Sequence, residues 1–344
     1  MATKFELDRG GKFKRYGWTL SEVNLNTLPE DAPEGAKDLA EWLIVEGRRR
    51  SLMEWFSHLN DKDGRIHGRF THIGAWTGRM AHSKPNQANI PAGFHGKPSN
   101  AVEEAKARYD HRLRALWTVE EGNYLVGTDA EGIQLRILAH LMKSPEYIEA
   151  IVSGDKDNGT DIHNLNRKAL GMPHITRDMA KTFIYAFLLG AGNAKIAEIL
   201  QVSAKDAEAS VKRFMESITG LSNLKNNIIP RIAAKGFFVG LDGRKVPVPS
   251  QHKALAGMLQ NGESVLMKHA ALGWVAKARE QGFNFKLVTW PHDEWQTEVE
   301  GTLQDAEALG KLQVQSIVDA GVALNLRCPM DGSTDIGRNW QETH

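Results

Sequence analysis

The chain has 344 residues, 41% of them hydrophobic and 25% charged, with 43 Lys and Arg against 42 Asp and Glu for a net charge of +1. That is the composition of an ordinary globular protein with one large core or two modest ones. It excludes a membrane span, since no apolar run reaches the roughly 18 residues required. It also excludes an internal disulfide or multi-cysteine zinc site, since Cys328 is alone.

The opening MATKFELDRGGKFKR is charged and lacks a signal peptide's apolar stretch, which predicts a cytoplasmic protein with no membrane association. A protein that grips duplex DNA by charge alone is usually more basic than this, so any case for nucleic acid must come from motifs. Residues 1 to 36, with Gly10, Gly11, Pro29, Pro33 and Gly35, read as irregular lead-in. From Ala36 to about Leu59, Leu39, Leu43, Ile44, Met53 and Phe56 recur at helical spacing around Arg48, Arg49 and Arg50. A loop-rich stretch follows to Asn100. Tyr124 to Thr128 is a short apolar strand ending at Asp129, and Gly132 to Met142 is a helix. The chain from Asp161 to about Ala234 is mainly helical. Thr160 or Asp161 caps one helix, Gly171 and Pro173 end it, and Thr176 caps the next. Phe285 to Trp290 and Trp295 to Val299 are strands of a hairpin turning through Pro291, His292, Asp293 and Glu294. No internal repeat or low-complexity tract interrupts this order.

Three groups of residues carry candidate chemistry. Asp129 closes a strand, and Asp293 and Glu294 sit at a hairpin tip. Carboxylates brought together from separate strands can hold the metal pair of nucleotidyl transfer. An Asp closing a strand is usually a cap or turn residue. Arg177, Lys181 and Tyr185 follow at steps of four along one helix face, opposite Phe183, Phe187 and Leu188. Two cations and an aromatic in line suit a triphosphate and a stacked base, although on spacing alone a solvated basic face is the commoner arrangement. Thr77-Gly78-Arg79, Ser83 to Asn86 and Asn89 to Pro91 form a Gly- and Pro-punctuated loop whose polar groups suit a phosphate or minor-groove acceptor. Loops of that composition are common.

Taken in order, these blocks resemble those of family A DNA polymerases, the DNA polymerase I family, and most closely its bacteriophage branch. TGRMAHSKPNQANIP resembles the family's TGR…PNLQNIP block, and DAEGIQLR (129 to 136) its motif A, DxSxxELR. RDMAKTFIYAF (177 to 187) resembles motif B, and HDE (292 to 294) is similar to motif C. LDGRKVPV (241 to 248) with Gln260 resembles the segment beside the primer-template minor groove. DIH (161 to 163) precedes motif B at the family's distance, and GRNW (337 to 340) resembles the phage enzymes' ending. The match runs from about residue 37 onward.

The resemblance implies an α+β right-hand polymerase core in which helical fingers are inserted into an antiparallel palm sheet. Its expected parts are an N-terminal segment and thumb-base helix (1–60), palm (61–155), fingers (156–234) and palm again (235–344). It implies that Asp129 and Asp293, with the Ala130 backbone carbonyl, bind two Mg²⁺ ions, Glu294 supporting. Arg177 and His163 would meet the outer phosphates of the incoming dNTP, Lys181 the inner one, and Tyr185 its sugar and base. Arg79, Gln260 and Arg244 would contact primer-template DNA, with His292 near the primer terminus and Arg136 buried in support.

Three positions depart from the family. Its motif A Glu, which blocks a ribose 2′-hydroxyl, is Gln134; its second motif B aromatic is Leu189; the Gly after the first aromatic is Ala186. A buried carboxylate that loses its donor is costly, so the paired changes at 134 and 189 are expected to be coupled. Only about seventy residues precede the TGR block, which predicts that a second polypeptide supplies an exonuclease-like domain and thumb. The expected function is template-directed addition of dNTPs to a primer 3′ end, in phage-type genome replication. The alternatives are an enzyme resembling single-subunit RNA polymerases and a non-catalytic DNA-binding polymerase subunit.

Overall fold

Three separated segments, 124–129, 285–299 and 333–337, converge on one sheet. The computed structural model describes residues 33–94, 97–98 and 100–344, together with 4–5, 17–18, 22–25 and 31. Of the expected irregular lead-in, Lys4–Phe5 pairs with Gly17–Trp18, and Glu22–Leu25 is a helical turn. Apart from position 31 and the residues from 33 on, the rest of that expectation lies outside the described residues.

Helix α1 (Glu34–Ser57) packs Ala40 and Ile44 against Val102 and Ala105 of α2 (Ala101–Tyr109). Between them, β1 (Arg69–Thr71) and β2 (Ala81–Ser83) form a hairpin whose loop carries Thr77, Gly78 and Arg79. Strand β3 (Tyr124–Asp129) leads into α3 (Ile133–Met142) and α4 (Pro145–Val152). The helical middle follows as α5 (Ile162–Leu170), α6 (Arg177–Leu188), α7 (Asn193–Leu200), α8 (Ala204–Ser217) and α9 (Ile229–Lys235). Its local signals act as expected. The Asp161 side chain accepts the Asn164 N–H, Gly171 ends α5 in the left-handed region, and Thr176 accepts the Met179 N–H. Phe183 and Phe187 of α6 lie edge-on to Phe214 of α8, at 5.1 and 5.5 Å between ring centroids, which fixes the opposite face of α6 toward the site.

The chain returns through a small hairpin, β4 (Phe237–Val239) and β5 (Lys245–Pro247), into α10 (Gln251–Glu280). Then come β6 (Phe285–Thr289), β7 (Glu294–Val299), α11 (Leu303–Ala323) and β8 (Ser333–Gly337). The main sheet is antiparallel in the order β8-β3-β7-β6. Alternation along β3 and β7 sorts their two faces. One face packs on the long helices: Trp295 lies 5.7 Å from Trp274 of α10, and Gln313 of α11 bridges Thr128 and Thr297. The other face carries Asp129, Gly127, Glu294 and Gln296.

Sequence periodicity revealed neither α10, 30 residues long, nor α11, nor the edge strand β8. Buried positions on α10 run almost without interruption from Asn261 to Met267, so no polar stripe marks one side of the helix. Among the described residues no helix is long and apolar enough to cross a membrane.

Candidate active site

Asp129 ends β3 and Glu294 begins β7, and the two are register partners across the sheet. The Ala130 N–H donates to the Asp293 carbonyl at 3.1 Å, so Asp129 and Asp293 occupy the same end of neighbouring strands. Burial, then the Glu294 charge, raises the Asp129 carboxyl to about 6, with His344 opposing. Burial, then the charges of Glu263 and Asp129, pushes Asp293 well above the usual carboxylate range. Two acids crowded with too little countercharge form an environment that a cation relieves. No group of three or more His, Cys, Asp or Glu side chains forms a metal-ligand cluster among the described residues. Two carboxylates at neighbouring strand ends fit Mg²⁺, which ordinarily completes its shell with water and phosphate.

Glu294 is held differently. Its Oε1 accepts from Trp340 Nε1 at 2.6 Å and Gln296 Nε2 at 2.5 Å, while Oε2 lies 3.0 Å from His344 Nδ1. Burial alone would raise this carboxyl, but hydrogen bonding to His344 and Gln296 holds it below its ordinary value. The turn bearing Trp340 reaches the sheet because position 127 is Gly: a Cβ there would stand 2.2 Å from the Thr343 carbonyl oxygen.

The α6 face meets these acids. Burial, then the charges of Asp293 and Asp129, raises the Tyr185 hydroxyl, and the His163 ring lies 6.4 Å from the Tyr185 ring. His163 is buried with Nδ1 unpartnered, and burial followed by the Arg177 charge lowers its pKa. Lys181 is exposed one turn before Tyr185. Arg177 is already engaged: its Nε and Nη2 donate to Asp161 Oδ2 at 3.0 and 2.6 Å. Burial alone would raise the Asp161 carboxyl, but Arg177 and Asn164 bring it down to about 2.

The Thr77-Gly78-Arg79 loop is fastened to α10. Asn261 Nδ2 donates to the Thr77 carbonyl at 3.0 Å; Ser264 Oγ and Lys268 Nζ donate to the Gly78 carbonyl at 2.6 and 2.5 Å. Gly78 has φ +88°, a conformation L side chains rarely adopt. Arg79 Nη2 donates to Glu263 Oε2 at 2.5 Å, and Gln134 Nε2 donates to the same oxygen at 3.1 Å. Gln260 is half-buried one turn earlier on α10. Arg244 is hydrogen-bonded to Asp242, its Nη2 3.6 Å from where a Cβ on Gly78 would stand. His292, at φ +58°, accepts at its carbonyl from Trp290 Nε1 at 3.1 Å; burial and then the Arg79 charge lower its ring pKa.

Asp129, Asp293, Glu294, Tyr185 and His163 thus converge, and Arg79, His292 and Arg244 border the fastened loop. The expected pairing of Gln134 with Leu189 is replaced by another: Gln134 gives its amide to Glu263, and Leu189 stands 58% exposed at the end of α6. Sequence reading did not find Glu263, Asn261, Ser264, Lys268 or Asp161's hold on Arg177. The i, i+3, i+7 spacing of Asn261, Ser264 and Lys268 was the available signal.

The family model for DNA polymerase family A matches residues 1–342. The chain is similar to the DNA-directed DNA polymerases of Enterobacteria phage T3 and Escherichia phage T7, at 32% identity over 91% of this chain and 47% of each relative. It spans about half the length of these curated relatives. The fold is similar to that of the POL domain of Pol1 from M. smegmatis, solved in complex with DNA primer-template and dNTP. There the TM-score is 0.78 at 22% identity, covering 99% of this chain and 59% of that one. With its motifs in family order and its sheet, helices and acids arranged as described, the chain belongs to DNA polymerase family A.

Proposed function

We propose that this chain is the nucleotidyl-transfer core of a template-directed DNA polymerase that adds dNTPs to a primer 3′ end, in phage-type replication in the cytoplasm of a host cell. The observation that carries the reading is the placement of Asp129 and Asp293 at one sheet end, facing Tyr185 on α6. Residues 61–155 and 235–344 would form the palm, 156–234 the fingers, and 1–60 a thumb-base segment.

Asp129, Asp293 and the Ala130 carbonyl would hold two Mg²⁺ ions. The chemistry that pair supplies when bound is activation of the primer hydroxyl and stabilisation of departing pyrophosphate. The chain's own side chains do the positioning that phosphoryl transfer chiefly requires. Lys181 neutralises the phosphate nearest the reaction, Arg177 and His163 meet the outer ones, and Tyr185 packs on sugar and base. Asp161 holds the Arg177 guanidinium in place before the phosphates share it. Arg79, Gln260, Arg244 and His292 line the path of the primer-template.

We propose further that a second polypeptide, or chain beyond this sequence, adds an exonuclease-like domain and thumb. Support comes from α1, where Trp42, Met53 and Phe56 are 57, 60 and 65% exposed, and from a net charge of +1, which leaves little excess for phosphate binding. Magnesium-dependent primer extension with dNTPs against rNTPs tests the reading. Preference for rNTPs would favour the RNA polymerase alternative, and no extension with retained DNA binding would favour a non-catalytic subunit.

A further inference from the structure

Glu263 is fully buried on α10, and one of its oxygens, Oε2, receives both Arg79 and Gln134. The other, Oε1, is buried with no partner. A carboxylate in that position is costly unless a cation compensates it, and Arg79 supplies one. Two long side chains, 184 and 129 residues away along the chain, are thereby gathered at one point.

We propose that Glu263 is a positioning residue of the nucleotide site, fixing Gln134 as the wall beside the incoming nucleotide's sugar and so setting discrimination between deoxyribo- and ribonucleoside triphosphates. The inference rests on the polymerase reading and deepens it. Gln134 lies in the first turn of α3, five residues after Asp129, and the Glu263 charge bears on both Asp129 and Asp293. The charges of those acids bear in turn on Tyr185. A nucleotide with its phosphates at the acids and Lys181 and its base against Tyr185 has its sugar beside the acids, where Gln134 stands. A free Gln samples several rotamers and makes a soft wall, whereas a Gln hydrogen-bonded to a buried, ion-paired carboxylate is held in one. The same arrangement accounts for the amide at 134. A carboxylate there would put two acids on one guanidinium, beside an Asp293 already crowded by charge. An amide donates to Glu263 instead.

The test measures equilibrium binding of the next correct dNTP and rNTP to the full chain on a dideoxy-terminated primer-template, so that no chemistry intervenes. Variants are E263A, E263Q, Q134A and E263A/Q134A, each checked for folding by thermal denaturation. E263A and Q134A should each narrow the dNTP-to-rNTP affinity ratio about tenfold or more, and the double variant should do no worse than either alone. E263Q still accepts the Gln134 N–H and should stay within about threefold of the parent. If E263A fails to fold, E263A/R79M removes both charges of the ion pair, and its ratio should narrow likewise. An unchanged ratio in the folded Glu263 variant, or effects of E263A and Q134A that multiply, would overturn the proposal while leaving the polymerase reading intact. A parent chain that neither extends primers nor binds nucleotides overturns that reading, and the proposal with it.

Discussion

The Ala130 amide donates to the Asp293 carbonyl at 3.1 Å, and this main-chain bond holds two half-buried acids at one end of the sheet. Asp129 is raised from 3.8 to about 6, so its contribution to stability is full below about 4 and is lost as pH rises through 6. Above that the chain carries a half-buried, underpaired charge. Asp129→Asn should therefore raise the unfolding free energy by about 1–2 kcal/mol at pH 8 without divalent ions, with the difference vanishing below pH 4. Added Mg²⁺ should stabilise the parent and not the variant. Thermal denaturation from pH 4 to 8, with and without magnesium, measures both.

The Arg177–Asp161 pair has the opposite sign. Asp161 is lowered from 3.8 to about 2, so its stabilisation is present above about pH 4 and lost as pH falls toward 2. Asp161→Asn keeps a side chain able to cap α5 but loses the ion pair, at a cost of about 1–2 kcal/mol at neutral pH. Acid denaturation should show a steeper loss between pH 4 and 2 in the parent than in the variant.

Lys181 is exposed and should matter little to folding. Lys181→Ala should lower kcat/KM for dNTP by about 10²–10³, the scale of losing one charge contact in a preorganised site, while moving the melting temperature by less than about 2 °C. Steady-state kinetics beside calorimetry separate the two effects.

The parts of the site visible in the sequence were those written as local patterns. A strand ending in Asp129, a hairpin tip at Asp293 and a helix face at 177, 181 and 185 each follow from short-range periodicity, and the family resemblance joined them. What periodicity could not show is contact across long separations. Glu263 in a long helix reads as an ordinary solvated residue until Arg79 and Gln134 arrive from 184 and 129 positions away. The pairing expected between Gln134 and Leu189 rested on two simultaneous departures from the family. The structure gives Gln134 a different acid and leaves Leu189 exposed. Helix α10 escaped for a related reason: burial on most of its sides erases the polar stripe that periodicity detects.

Gly127 supports Glu294 indirectly. A Cβ there would press on the Thr343 carbonyl at 2.2 Å, displacing the turn whose Trp340 donates to Glu294 at 2.6 Å. Gly127→Ala should cost about 1–3 kcal/mol through overpacking. It should also lower extension rate at temperatures where the chain remains folded. Trp340→Phe, which keeps an aromatic side chain but removes the indole N–H and part of the buried ring volume, should reproduce the loss of rate.

If Asp129 and Asp293 together carry nucleotidyl transfer, single-turnover extension of a defined primer-template by the parent, Asp129→Asn and Asp293→Asn will separate the three. The parent should add dNTP in a magnesium-dependent, template-directed way, and each variant should fall by about 10³-fold or more with primer-template binding retained. Extension by either variant at near the parental rate would contradict that role.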